Sequence, residues 1–214
     1  MNVDDLLRRA RLYLIYTDAL SALPLEEALA GAARGGVDLV QIREKCGHHE
    51  RVALTRRALE ALAGSDVLVL VNDDPAAAVE AGAHGVHLGP DDMEPRAARR
   101  IIAPGMLLGL STSTPDDARG AVDAGADYIG VGTVFATVTK KGKTIIGPDG
   151  AARMGASVPI PAFAIGGIDK EGAERLAASG CGRAAVCSAI LSHKDVEQRA
   201  ASIKNALRRA SLPG

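Results

Sequence analysis

The sequence predicts a single-domain (β/α)8 TIM barrel spanning residues 1–214, and three observations point to it. Eight short apolar runs alternate with eight Ala-rich amphipathic segments along the whole chain. Each apolar run breaks into a polar or glycine-rich cluster, as buried parallel strands do where they reach the working face of a barrel. A glycine-led motif also returns about every two strand–helix units. It reads Gly36-Val37-Asp38-Leu39-Val40, Gly82-Ala83-His84-Gly85-Val86, Gly125-Ala126-Asp127-Tyr128-Ile129 and, more loosely, Gly180-Cys181-Gly182-Arg183-Ala184. Eight pairs with this internal period favour a closed barrel. A doubly wound open sheet would usually carry a nucleotide glycine fingerprint after the first strand, where Thr17-Asp18-Ala19 stands instead.

Strands are expected near 11–17, 37–42, 67–71, 84–88, 106–111, 127–132, 160–165 and 183–187. Helices are expected near 24–35, 49–64, 74–82, 94–103, 115–124, 148–157, 170–179 and 194–210. Thr114-Pro115-Asp116-Asp117 supplies an N-cap, a proline at the first helical position and acids in the first turn. Gly35-Gly36, Gly82, Gly125 and Gly180 suit helix stops. No linker or composition break divides the chain. The longest piece without a predicted element, 133–147, is polar and falls on the working face, where long loops carry function.

Composition narrows the classes. Apolar residues make up 47%, charged residues 24%, and the formal net charge is −1, which describes a soluble globular protein. That balance offers no broad field for nucleic acid or an anionic membrane. With only five aromatics other than histidine and no Trp, a base-stacking platform is not expected. No apolar stretch is long enough for a transmembrane helix, and the acidic start lacks a signal-peptide pattern, so a cytoplasmic protein is expected. Cys46, Cys181 and Cys187 are odd in number and lack zinc spacing, which suits free thiols in a reducing compartment. A homo-oligomer stays open.

The strand-ending clusters carry the chemistry. Gln41, Arg43 and Lys45 share parity with Leu39 and would point into the mouth if the strand ran that far. Two cations there suit a polyphosphate, although a solvated loop neutralised by Glu44 is the plainer alternative. Asp73 in Asn72-Asp73-Asp74 and Asp92 at the next strand end suit a shared Mg²⁺. Asp74, beside Pro75, reads as a helix cap, a role also open to Asp92. Thr137, Thr139, Lys140, Lys141 and Lys143 form a hydroxyl- and cation-rich loop able to close over phosphate, or simply an exposed basic loop. Ile165-Gly166-Gly167-Ile168-Asp169 and Val186-Cys187-Ser188-Ala189 end strands seven and eight, the usual place for a barrel phosphate site. His84 and His87 fall on opposite faces of one strand, so a shared metal is not expected, and His48-His49 reads as a solvated helix start. No nucleophile–base pair stands out. Two anion sites beside a carboxylate pair fit metal-assisted departure of a diphosphate next to a second, phosphorylated substrate.

Together these clusters resemble the thiamine-phosphate synthase family from about Tyr13 to Ile190. The matching motifs are Gln41-Ile42-Arg43-Glu44-Lys45, Asn72-Asp73-Asp74, Gly85-Val86-His87-Leu88-Gly89 with Asp92, Gly109-Leu110-Ser111, Gly130-Val131-Gly132 leading to Thr137-Val138-Thr139-Lys140-Lys141, and Ile165-Gly166-Gly167-Ile168. Each motif is weak alone, but their order and spacing are specific. The resemblance implies a Mg²⁺-using transferase that joins a pyrimidine methyl diphosphate to a thiazole phosphate and releases pyrophosphate. It implies that Gln41, Ile42, Arg43, Glu44, Lys45, Asn72, Ser111 and Lys140 bind the diphosphate substrate. Arg43, Lys45, Ser111 and Lys140 would also serve the reaction itself. Asp73 and Asp92 would hold Mg²⁺, and Thr137, Val138, Thr139, Gly167, Cys187 and Ser188 would bind the thiazole phosphate.

The chain departs from the family pattern at Pro90, Ala136 and Cys181-Gly182-Arg183, where Gln, Pro and Ala-Asp-Gly are common. Arg183 is expected against a helix or near the last phosphate loop. Three other readings remain. A thiazole tautomerase looks similar but places a His two residues beyond the strand-five serine, where Ser113 stands here. A non-catalytic phosphate-ligand sensor would show an eroded metal or leaving-group site, yet Asp73, Asp92 and Lys140 are present. Another phosphate-binding barrel enzyme, such as an epimerase, completes the set.

Overall fold

A computed structural model describes residues 2–136 and 144–212. Its eight strands are β1 (Leu12–Tyr16), β2 (Leu39–Ile42), β3 (Leu68–Asn72), β4 (Gly85–Leu88), β5 (Leu107–Thr112), β6 (Tyr128–Gly132), β7 (Ala162–Ile165) and β8 (Ala184–Val186). They are parallel and close in sequence order, with β8 back on β1. The layer outside them comprises α2 (Leu25–Arg34), α3 (His48–Ala61), α4 (Pro75–Ala81), α5 (Pro95–Ile101), α6 (Pro115–Asp123), α7 (Gly147–Ala156), α8 (Lys170–Ala178) and α10 (Val196–Leu207). Every predicted strand and helix is present, with ends within about three residues.

Three short elements went unpredicted: α1 (Val3–Arg9), a 3₁₀ turn at Asp18–Leu20 and α9 (Ser188–Leu191). At four to seven residues the two helices are too brief to show a clear period in sequence. Leu7 of α1 and Ala10, just beyond its end, join the interior core with Tyr13, Leu39, Leu68, Leu107, Tyr128 and Phe163. So α1 plugs the floor of the barrel. The larger apolar core lies between strands and helices. Strand side chains alternate between these two cores, as the two-residue period requires.

The glycine-led repeat has a physical basis at that floor. Its third residue comes directly before an even-numbered strand and accepts a backbone N–H from the odd-numbered strand beside it. The Asp38 carboxylate accepts from Leu12 N at 2.9 Å, His84 Nδ1 from Val69 N at 2.9 Å, and Asp127 from Leu108 N at 2.7 Å. Burial pushes the His84 pKa down, which keeps the ring neutral and able to accept. The fourth copy has Gly182 in that place. A Cβ there would lie 2.8 Å from Arg11 Nη1. Arg11 uses the space to donate to Leu207 O and Ala210 O at 2.9 and 2.8 Å, capping the end of α10.

Arg183 is likewise a floor residue. It is buried, and its guanidinium donates to Ala10 O at 3.1 Å and Arg8 O at 2.6 Å. It holds the last turn of α1, the helix-facing one of its two expected placements, at the opposite end of β8 from the phosphate loop. Two predicted caps are present, with Asp74 accepting from Ala77 N and Thr114 from Asp117 N. Glu94, not Asp92, caps α5. Among the described residues no helix is long and apolar enough to cross a membrane.

Candidate active site

The C-terminal ends of the strands form the barrel mouth. Gln41 faces inward from β2, is buried, and donates from Nε2 to Tyr13 Oη at 2.6 Å. The side chain of Ile42 points the other way, into the helix-facing core. Beyond the strand, Arg43 is held by its backbone N–H on Tyr16 O at 2.9 Å. Its positive charge acts on both Asp73 and Cys187, offsetting part of the rise that burial imposes on each.

Two contacts shape the loop that follows. The Glu44 carboxylate accepts the backbone N–H of Asp18, tying this loop to the one after β1. Arg51 on α3 donates to Cys46 O at 3.0 Å and Glu44 O at 3.3 Å, and pairs with Asp74 at 3.0 Å. Lys45 lies on this clamped loop with its side chain exposed. Because β2 ends at Ile42, its position follows from the clamp and not from strand parity.

Asn72 ends β3, and Asp73 follows with φ +65°, an unusual backbone for a residue with a Cβ. The turn is held by Asp73 N on His87 O at 2.9 Å. Asp92 folds back so that its carboxylate accepts Gly89 N at 2.6 Å. The Asp73 carboxyl is pushed up to about 6, first by partial burial and then by the Asp92 carboxylate within hydrogen-bonding reach. Two carboxylates this close repel unless a proton or a cation lies between them. An all-oxygen pair of this kind suits a hard divalent cation.

A second feature lies deeper and was missed from sequence. His87 Nδ1 meets Tyr128 Oη and His87 Nε2 meets Ser111 Oγ, both at 3.0 Å. Tyr128 Oη meets Tyr13 Oη at 3.0 Å, and Tyr13 accepts from Gln41. A polar chain thus runs Gln41–Tyr13–Tyr128–His87–Ser111 across the interior, joining β2, β1, β6, β4 and β5. Burial drives both tyrosine pKa values up, so both hydroxyls keep their protons. Strand parity places all five side chains on the inward face, and that signal could have found them. Gly109 makes room for the crossing, since a Cβ there would lie 2.1 Å from the Tyr128 ring.

At the other end of the mouth, Gly166 and Gly167 turn the chain at φ +107° and +63°. A Cβ on Gly167 would lie 2.4 Å from Ala136 O. Val134 N donates to Ile165 O at 2.9 Å and Phe135 N to Gly166 O at 3.0 Å, so the strand-six loop leaves along the strand-seven turn. Thr137, Val138, Thr139 and Lys140 lie outside the described residues. The segment returns at Ile146, whose N–H meets Thr133 O at 2.9 Å. Cys187 precedes α9, and burial pushes its thiol up to about 11, so it is not a thiolate nucleophile at neutral pH. Ser188 opens α9 and is exposed. All three cysteines are free.

Two cavities mark the ends of the mouth. One of about 370 Å³ is lined by Gly89, Pro90, Asp92 and Ser111. The other, about 630 Å³, is lined by Ala136, Gly167 and Ser188 and runs out past Lys170 and Arg199. One sequence-predicted feature is corrected nearby. His48 is not simply solvated, because its ring joins Asp74 and Glu80 at 3.0 and 2.9 Å.

A closed parallel barrel with a carboxylate pair at one end of its mouth and a double-glycine turn at the other belongs to the broad class of (β/α)8 proteins. Residues 12–190 match the family profile for thiamine monophosphate synthase, and the chain belongs to that family. It is 39% identical over 202 residues to the thiamine-phosphate synthase of Anaeromyxobacter dehalogenans, covering 93% of this chain and 90% of that one. Over 206 residues it is 39% identical to the Thermosynechococcus vestitus thiamine-phosphate synthase, covering 96% of this chain but only 57% of that longer protein. Among solved structures, the thiamine phosphate pyrophosphorylase of Pyrococcus furiosus superposes with a TM-score of 0.85 at 32% identity, covering 97% of this chain and 98% of that one.

Proposed function

We propose that this barrel joins a pyrimidine methyl diphosphate to a thiazole phosphate, releasing pyrophosphate and forming thiamine phosphate. The observation that carries this reading is the Asp73–Asp92 pair, set just beyond adjacent strand ends with the charge of Arg43 acting on Asp73. That is the charge arrangement needed where a diphosphate departs with a divalent cation. Asp73 and Asp92 would hold Mg²⁺, which when bound would offset charge on the departing pyrophosphate.

The chain's own residues account for the remaining steps. Arg43, Lys45 and Lys140 stabilise the diphosphate oxygens as the C–O bond breaks. The aminopyrimidine ring is electron-rich and carries the resulting methylene cation, so no protein nucleophile is required. Asn72 and Ser111 orient this half of the reaction, with Ser111 fixed by His87. Gln41 is fixed by Tyr13, which sets the depth to which the pyrimidine enters. The thiazole phosphate is held by Thr137 to Thr139 together with Gly167, Cys187 and Ser188, so that the ring nitrogen meets the cation. Positioning of this kind supplies much of the rate.

The test is a coupled pyrophosphate-release assay with both substrates and Mg²⁺. Pyrophosphate and thiamine phosphate should appear in equal amounts, and absence of both under saturating Mg²⁺ would sink the proposal. Thr139→Ala should weaken the thiazole phosphate more than the diphosphate, whereas equal effects on both would contradict its assignment.

A further inference from the structure

His48 and His49 open α3, and Glu80 lies in the last turn of α4. One ligand atom from each of the three lies within 4.8 Å of the other two. The His48 ring is already oriented for coordination. Its Nδ1 meets the Asp74 carboxylate at 3.0 Å, and Asp74 is fixed by Arg51 Nη1 at 3.0 Å and by Ala77 N at 2.9 Å. A carboxylate on one ring nitrogen of His, leaving the other for a metal, is the usual outer support of a histidine ligand. The other nitrogen, Nε2, faces Glu80 at 2.9 Å, and the His49 ring stands 5.5 Å from that of His48.

We propose that His48 Nε2, His49 and Glu80 form a surface site for a borderline divalent metal ion of the Zn²⁺ type, with water in the fourth position. This donor set of two imidazoles and a carboxylate suits Zn²⁺, not Mg²⁺. Two bonds of about 2.0–2.2 Å at a tetrahedral angle put ligand atoms roughly 3.4 Å apart. The His48–Glu80 contact must therefore open by about half an ångström. The proton shared between Nε2 and Glu80 leaves to solvent as the metal enters, while Nδ1 keeps its hydrogen on Asp74. The bound ion would pin the first turn of α3 to the last turn of α4, on the flank of the strand that leads into Asp73.

The experiment is calorimetric titration of the metal-free full chain, without a polyhistidine tag, with Zn²⁺ in two buffers of different ionisation enthalpy. An Asp73→Asn background removes the carboxylate pair at the mouth from the measurement. The expected result is one site with proton release, and at least a tenfold loss of affinity in His49→Ala and in Glu80→Gln. Zn²⁺ should raise the unfolding temperature of the Asp73→Asn protein and not that of its His49→Ala derivative. No Zn²⁺ binding in that background, or affinity unchanged by both substitutions, overturns the proposal. Both His49 and Glu80 are exposed, so neither substitution disturbs the buried core.

Discussion

Asp73 concentrates the electrostatics of the mouth in one side chain. Its backbone is left-handed. Partial desolvation and the facing Asp92 carboxylate push its pKa up to about 6. Two consequences follow in opposite directions. If Asp73 holds the cation as proposed, a proton competes for the same carboxylate, and Mn²⁺ or Mg²⁺ affinity should fall about tenfold per pH unit below 6. Calorimetry across pH 5 to 8 would check this, and a flat profile would remove Asp73 from the cation site. Without the cation, the folded state takes up the Asp73 proton more readily than the unfolded chain. This contribution to stability is therefore present at low pH and is lost as pH rises from about 4 through 6. The interior relay makes a separate prediction. Tyr128→Phe removes one hydrogen bond from Tyr13 and one from His87, which should cost about 1–3 kcal/mol in urea unfolding. It should also lower the turnover of pyrophosphate release through Ser111. An unchanged midpoint and rate would show that the relay neither stabilises nor positions.

At the scale of elements, the floor and the mouth of the barrel use the ends of the same strands differently. Floor residues fasten neighbouring strands together through side-chain-to-backbone hydrogen bonds. Asp38 is the busiest of them, accepting from Arg11 N at 2.7 Å, from Leu12 N and from the buried ammonium of Lys204 on α10. Burial pulls the Lys204 pKa down while Asp38 pushes it back up. Asp38→Ala would leave that ammonium buried and uncompensated, along with two amide groups. A loss of about 3–5 kcal/mol is expected in chemical denaturation. Asp38→Asn, which keeps an acceptor for the amides, should recover part of it. The two mouth cations Arg43 and Lys45 instead sit on a loop whose shape is imposed by clamps. Arg51 and the Glu44–Asp18 tether set the loop bearing Arg43 and Lys45. These loop shapes were not legible from strand parity, because β2 ends before either cation.

At the scale of the whole molecule, closure brings residues far apart in sequence into one ring. Cys187 and Arg43 are separated by most of the chain yet interact electrostatically, because β8 pairs with β1 and β1 with β2. The mouth has a carboxylate end and a double-glycine end, with a cavity at each. Pyrophosphate with Mg²⁺ should therefore bind the folded state only. At about a hundredfold excess over the dissociation constant it should add roughly 2.7 kcal/mol, seen as a raised unfolding temperature. Asp73→Asn should abolish the shift that depends on Mg²⁺. An equal shift in wild type and variant would place the pair away from the ligand.

The order of elements was legible because each follows from a local pattern. Apolar runs, amphipathic segments, the caps at Asp74 and Thr114 and the recurring glycines are properties of a few neighbouring residues. The strand-end clusters were legible for the same reason, since a polar group ending a buried strand must meet either solvent or a ligand. The repeat at Gly36, Gly82 and Gly125 was visible too, but its purpose was not. Asp38, His84 and Asp127 act on a neighbouring strand, and only the barrel register says which amide each one meets. The same limit hid the end of β8 at which Arg183 lies, the His48 contacts to α4 and the order in which the inward-facing residues from Gln41 to Ser111 touch. Sequence alone therefore determined the barrel, its working face and the residue types gathered there. Tertiary structure alone decided which of those groups touch, because hydrogen bonds and charge pairs act over a few ångströms and depend on strand closure and register.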